Sequence, residues 1–294
     1  MGGFQCNVKS SFYFRLFNIS VFHYNGTNKF IQNRVNNMGT SKVTEHQWNA
    51  SLYDGKHSFV SKYGNSLVEL LAPKEGERIL DLGCGTGDLA NTLFEGGVEV
   101  VGVDKSENMV KLATSKYPQI PFTVQDATKL TYQNEFNAVF SNATLHWVHP
   151  PKEAVQCIYE SLKQGGRMVA EFGGKGNVQT ITDEIIQQIK NAGFEFKAAQ
   201  FPWYYPSIAE YSMLMEETGF QVTFAQLYDR PTPLDGENGL RNWIDMFGSM
   251  LFYGIPEQIQ DHIIANVEMN LKDVLYREGI WVADYKRIRV VGIK

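Results

Sequence analysis

The chain has 294 residues, 43% of them hydrophobic, and a formal net charge of −5. That length and apolar content suffice for one large core or a core with a cap. No long basic run exists, which removes electrostatic support for nucleic-acid binding, and no apolar run approaches the length of a membrane span.

Residues 1–37 contain Arg and Lys but no Asp or Glu, and the first acid in the chain is Glu45. An acid-free, Ser-containing leader reads as an organelle transit peptide or, with Met38 available as a start, as translated upstream sequence. The second reading is the expectation here: a disordered or non-native leader over 1–37, then a single domain over 38–294. The three cysteines, Cys6, Cys84 and Cys157, show neither metal-ligand spacing nor a paired framework. A reducing, cytoplasmic setting follows, or an organelle if the leader is a transit peptide.

Apolar residues at helical spacing (Phe59, Tyr63, Leu67, Leu70, Leu71) predict a helix over 58–71, stopped by Pro73. It belongs to an N-terminal helical cover over 45–72. Strands and helices then alternate from Arg78 to Phe172, the pattern of a parallel sheet with helices on both faces. The first strand, Arg78–Leu82, runs into a turn with Gly83, Gly85 and Gly87, and a helix follows. Alternate glycines bring bare backbone close to a ligand at the carboxyl end of a strand. A dinucleotide fingerprint would need glycine at position 88, which is Asp88, a residue expected to cap or solvate the first helix. The second strand, Gly97–Val103, ends at Asp104, beside the glycine turn after a right-handed crossover. An acid there can accept hydrogen bonds from ribose hydroxyls or cap the following helix, Ser106–Lys116.

The third strand, Pro121–Gln125, ends in Asp126-Ala127, and the fourth, Ala138–Ser141, in Asn142-Ala143-Thr144-Leu145-His146-Trp147. Lys163–Gly166 reads as a helix end and turn feeding a strand over Arg167–Phe172. Helices follow at Thr180–Ala192 and Ser207–Thr218, the latter with Ser207 as N-cap and Gly219 past its end, separated by the aromatic, proline-bounded loop Phe201–Pro206. Strands at Phe220–Tyr228 and Trp281–Ile293 enclose residues 235–277, which read as helices Gly239–Phe252 and Pro256–Tyr276. A hairpin needs only a few residues, so an insertion of this size reads as a helical lid or as a decorative insertion away from the site, and the lid is the expectation.

The glycine turn resembles the first motif of the class I S-adenosylmethionine-dependent methyltransferases. The Asn-Ala…Trp segment 142–147 resembles their trans-aconitate branch. Gln47–Tyr53 resembles a stretch that folds over the cofactor in the trans-aconitate and malonyl-carrier-protein groups. The resemblance spans residues 45–175 and implies a Rossmann-like, mostly parallel seven-stranded α/β sheet with an antiparallel last strand, helices on both faces and a helical cap. It implies S-adenosylmethionine as cofactor and S-adenosylhomocysteine as product. Trp48, Asp81, Gly83, Gly85, Gly87, Asp104, Lys105, Met109, Asp126, Ala127, Asn142, Ala143 and Trp147 are the implied cofactor residues. The glycine turn would lie against the methionine part, Asp104 against the ribose, and Asp126-Ala127 against the adenine.

A sulfonium methyl is already activated, so the protein's main tasks are alignment and water exclusion, which can supply about 7–11 kcal/mol. A carboxylate acceptor needs no general base; a phenol, amine or carbon acid that is protonated at neutral pH does. Carboxylate O-methylation of a small molecule is therefore the most economical reaction. The alternative acceptors would use His146 as base, with Tyr53 the second catalytic candidate, although His146 also reads as a hydrogen-bonded wall. Trp203, Tyr205, Arg241 and Trp243 are candidates for the acceptor pocket, Arg241 by pairing with an acceptor carboxylate. No metal is expected, because no acid and histidine cluster with ligand spacing follows the fourth strand. The assembly is expected to be a monomer or homodimer. From other classes, an NAD-dependent oxidoreductase is disfavoured by Asp88, and a non-catalytic cofactor-binding protein by the intact glycines and Asp104.

Overall fold

A computed structural model describes residues 66–294. The leader, Trp48, Tyr53 and the start of the predicted 58–71 helix lie outside the described residues; residues 66–71 are helical. Strands β1 (Arg78–Leu82), β2 (Glu99–Asp104), β3 (Phe122–Val124), β4 (Phe136–Asn142) and β5 (Leu162–Gly173) run parallel in the spatial order β3-β2-β1-β4-β5. Beyond β5 comes β8 (Ile280–Ile293), antiparallel to it, and then β6 (Gln221–Pro233), antiparallel to β8. A two-residue strand, β7 (Tyr276–Arg277), hairpins onto the start of β8. The implied seven-stranded sheet with an antiparallel last strand is the sheet observed, with this short hairpin added.

Both faces of the sheet are buried, as a parallel sheet with alternating crossovers requires. Leu80, Val103 and Val139 face one way, with Val155 and Ile158 of α3 (Pro151–Ser161) and Tyr211 and Met215 of α5 (Ile208–Thr218). Ile79, Val100 and Phe140 face the other, under Leu67, Leu71 and Leu93, the last from α1 (Asp88–Glu95). A third core joins α4 (Gln179–Asn191), α6 (Gly239–Phe247) and α7 (Glu257–Leu275) to Trp281, Ala283 and Tyr285 of β8. The insertion is thus helical as expected, and its core is continuous with the front half of β8.

Local chemistry sets the element ends. In α2 (Glu107–Lys116), Ser106 accepts the Met109 amide, with an acid in the first turn and a lysine in the last, which suits the helix dipole. Ser207 and Glu210 form a reciprocal capping box for α5, and Gly219 closes it at φ 117°. Three boundaries differ from expectation. The backbone already pairs as β5 from Leu162, with Gly165 at φ 75° taking up the turn predicted there. β6 continues to Pro233, because its whole length pairs with β8. The predicted helix 239–252 stops at Phe247, and Gly248 leads into a short 3₁₀ turn at Ser249–Phe252.

Candidate cofactor and acceptor site

Asp81 is the fourth residue of β1, and burial between β2 and β4 leaves it 2% exposed. Burial, with the charge of Asp104 added, pushes its carboxyl up to about 7. Its Oδ2 has no hydrogen-bond partner among the described residues. A buried carboxylate oxygen left unmatched is costly, and a cationic ligand group at this position would relieve it.

The three glycines that follow do different work. All have positive φ: 75° at Gly83, 55° at Gly85 and 87° at Gly87. A β-carbon on Gly83 would fall 2.0 Å from Thr144 Oγ1, so that glycine admits the segment after β4. One on Gly87 would meet Phe122, Ala113 and Tyr117, so that glycine admits β3 and α2. Only Gly85 of the three faces open space. It is the point of the turn where bare backbone is left uncovered. Cys84 between them is buried, and its thiol is pushed well up by burial, as the packing role requires.

Asp104, at the end of β2, holds this turn. Its Oδ2 accepts the Gly85 amide at 3.0 Å and its Oδ1 the Ser106 amide at 2.8 Å. Burial raises its pKa against these bonds, which act the other way. Ser106, not Asp104, caps α2. Asp126 caps the short turn Ala127–Lys129, accepting the Thr128 amide, and pairs with Lys105 at 3.3 Å. Burial pushes Asp126 up, but Thr128 and Lys105 outweigh it and hold the carboxyl below its usual range. Ala127 and Met109 are buried beside these carboxylates' elements. Asp88 lies in the first turn of α1 and receives Lys116 and the Tyr117 hydroxyl. The carboxyl ends of β1, β2 and β3 thus bring together Asp81, Gly85, Asp104, Lys105 and Asp126, a donor and acceptor set that fits a nucleoside carrying an amino acid.

Beyond β4 the surroundings become aromatic. Ala143 sits at φ 57° and donates its amide to the Glu171 carbonyl, turning the chain after Asn142. His146 is 6% exposed, and its Nδ1 accepts the Gly173 amide at 3.3 Å. Burial, then the nearby Arg287 charge, depresses its pKa well below the ordinary histidine value. The ring is neutral, and with Nδ1 accepting, its proton sits on Nε2. That geometry does not suit a general base, since the lone pair a base would use is already engaged; it suits the wall reading.

Around it, the Trp147 ring centre lies 5.5 Å from His146, 5.5 Å from Trp203 and 6.4 Å from Phe247. Trp203 stacks on Tyr205 at 5.7 Å and 11°, and Tyr205 lies 5.9 Å from His146. Trp243 is 6.1 Å from Trp203 and donates Nε1 to the Tyr285 hydroxyl at 2.6 Å. The predicted aromatic residues therefore converge, whereas Arg241 does not join them. Its guanidinium pairs with Glu268 at 2.7 Å and Asp261 at 3.5 Å, so its charge is matched within the insertion. Arg287 went unsingled in the sequence: it lies opposite Gly173 across the β5–β8 ladder and is 7% exposed. No residue pattern marks it, because only the register and the burial make it unusual. Among the described residues, no cluster of His, Cys, Asp or Glu has metal-site geometry.

Comparisons with known proteins bear on the family and the fold. Residues 80–170 match the family described as a methyltransferase domain. The chain is 32% identical to an uncharacterised methyltransferase of Schizosaccharomyces pombe over 263 residues, covering 86% of this chain and all of that protein. It is 25% identical to a trans-aconitate 2-methyltransferase of Delftia acidovorans, covering 78% of this chain and 90% of that one. The crystal structure of a putative methyltransferase from Bacillus halodurans superposes with a TM-score of 0.55 at 16% identity, covering 78% and 97% of the two chains, and shares the fold. The strand-end acids, the open Gly85 and these relationships lead to one assignment: the chain belongs to the class I S-adenosylmethionine-dependent methyltransferases.

Proposed function

We propose that the enzyme methylates a carboxylate oxygen of a small molecule. The observation that carries this reading is the state of His146: buried, neutral, and with Nδ1 taken by the Gly173 amide. The rings beside it belong to Trp147 and Tyr205, and burial raises the Tyr205 phenol far above neutrality, so it stays protonated. Among the described residues the aromatic wall offers no free base, which suits a nucleophile that is already an anion, and a carboxylate is one at neutral pH. The similarity to a trans-aconitate 2-methyltransferase supports the same acceptor class.

S-adenosylmethionine supplies a sulfonium-bound methyl group. Asp81, Gly85, Asp104 and Asp126 bind and orient it, with Lys105, Met109, Ala127, Asn142 and Ala143 completing the surround. Trp147, Trp203, Tyr205 and Trp243 form the acceptor wall and exclude water. Their aromatic faces also suit a cationic sulfonium. Residues 235–277 act as a lid, reaching this wall through Trp243 and Phe247. In the reaction a carboxylate oxygen forms the new bond to carbon as the carbon–sulfur bond breaks, and its electron pair stays on sulfur. No proton moves.

The test is transfer of labelled methyl from S-adenosylmethionine to a panel of carboxylic acids, phenols and amines. The reading expects a product with acids, released by mild alkali as an ester is. Transfer to phenols or amines alone would overturn it.

A further inference from the structure

Arg287 occupies an unusual position for a cation. It is 7% exposed, and its Nε and Nη1 have no hydrogen-bond partner among the described residues. Those two nitrogens carry three of the five guanidinium N–H bonds. The contact that compensates it is a ring: its guanidinium carbon lies 4.5 Å from the centre of Tyr285. Cation–π attraction does not replace hydrogen bonds to a buried charge.

The neighbouring arginines on the same face are satisfied. Glu171, directly opposite Arg289 in the ladder, accepts hydrogen bonds from Arg289, Arg230 and the Tyr228 hydroxyl. One carboxylate is thus shared by two guanidinium groups, and Arg287 adds a third whose Nε and Nη1 meet no acceptor among the described residues.

Its place relative to the cofactor elements says which ligand it faces. The order β1-β4-β5-β8 puts Arg287 three strand spacings from the glycine turn, about 14 Å. Opposite it stands Gly173, where a β-carbon would fall 2.5 Å from the Tyr205 ring. The Gly173 amide also meets His146. Arg287 therefore opens onto the aromatic wall at the carboxyl end of β5, on the acceptor's side of the methyl group.

We infer that Arg287 is the acceptor-binding residue of this enzyme, a buried guanidinium that takes a carboxylate of the incoming acceptor on its unmatched N–H groups. The inference rests on the carboxylate reading for the reaction and adds to it the residue that selects the acceptor. A guanidinium suits this task because it is permanently charged and its planar donors match a carboxylate. The anion of the acceptor supplies the partner that Arg287 lacks among the described residues, so an uncharged analogue of the same shape binds much less well.

The test uses melting temperatures of the full chain and its Arg287→Met and Arg287→Lys variants. Sodium formate, malonate and trans-aconitate are added against sodium chloride at equal ionic strength, with inorganic phosphate as a further arm. S-adenosylhomocysteine is measured separately. At least one carboxylate is expected to raise the melting temperature of the parent chain above the chloride control. Arg287→Met is expected to lose that response and Arg287→Lys to keep part of it, while S-adenosylhomocysteine stabilises all three alike. Should Arg287→Met fail to fold, a weakened carboxylate response in Arg287→Lys with an intact S-adenosylhomocysteine response carries the same result. A carboxylate response unchanged in the variants, no response in the parent chain, or a larger response to phosphate than to any carboxylate would overturn the assignment. Failure of the reaction reading looks different: carboxylates bind through Arg287, yet no alkali-labile methyl product forms.

Discussion

The Gly173 amide donates to Nδ1 of His146 across 3.3 Å, in a buried setting where the imidazole stays neutral. This one bond fixes the ring's tautomer and removes its basic lone pair from use. A general base contributes about 10²–10⁴-fold, so its loss would be conspicuous. We expect His146→Gln to lower kcat/KM by less than about tenfold. At saturating S-adenosylmethionine the pH profile of kcat should be flat from about pH 6 to 9, with no limb near the histidine range, in both proteins. Steady-state rates across pH check this, and a 10²-fold loss with a vanished limb would make His146 the base after all.

The glycine turn makes a differential prediction. Gly85→Ala places its methyl in open space at a φ of 55°. Backbone strain costs about 1 kcal/mol, and the chain should fold. Its β-carbon would occupy the ligand's side of the turn, so affinity for S-adenosylhomocysteine should fall by at least tenfold in calorimetry. Gly83→Ala drives a methyl to 2.0 Å from Thr144, inside the fold. That variant should lose stability first, by several degrees of melting temperature.

Asp104 serves the turn before it serves any ligand, through the amides of Gly85 and Ser106. Asp104→Ala strips an acceptor from both, at about 1–3 kcal/mol for each donor left unmatched. Melting temperature and S-adenosylhomocysteine affinity should fall together, the affinity by more than tenfold. Unchanged affinity in calorimetry would sink the ribose assignment.

Glu171 is 2% exposed and receives two arginines and a tyrosine. Burial pushes its pKa up, but Arg230 and its other partners outweigh this and hold it below the ordinary value. Glu171→Gln leaves two partly buried cations facing a neutral amide, a loss of up to about 3–5 kcal/mol in chemical denaturation. Its folded pKa is depressed, so the carboxylate's contribution is present above the unfolded value and fades as pH falls through that range. The parent chain should lose stability on acidification more steeply than the variant does.

What the sequence disclosed was what short-range chemistry determines. The glycine turn, the strand-end acids Asp104 and Asp126, and the Ser207 cap with Gly219 each declare themselves within a few residues. The division of labour among Gly83, Gly85 and Gly87 was hidden, because it depends on Thr144, Phe122 and Tyr117 arriving from other elements. Arg241 looked available until α7 brought Glu268 to it. Arg287 looked like any strand arginine until the β5–β8 register set it against Gly173 and away from Glu171. Charges matched or left unmatched are properties of the register, and a linear pattern does not contain them.

Asp81 gives the prediction with a defined pH window. Burial, with Asp104 second, places its folded pKa at about 7, far above the ordinary aspartate value. The sign for folding follows directly. The neutral acid's contribution is present below the unfolded pKa and is lost as pH rises toward about 7, because the unfolded chain ionises first. Binding runs the other way. The α-ammonium of the cofactor's methionine part favours the ionised carboxylate, so below pH 7 one proton must leave Asp81 on binding. Affinity for S-adenosylmethionine should rise from pH 5 to about 7, by up to tenfold per pH unit, and then level off. Calorimetry in buffers of different ionisation enthalpy should count that released proton at pH 6 and find almost none at pH 8. Asp81→Asn should bind more weakly, with a flat profile over the same range. A parent chain whose affinity is equally flat would mean that the orphaned Asp81 oxygen meets a neutral partner, and that the cofactor's ammonium is held elsewhere.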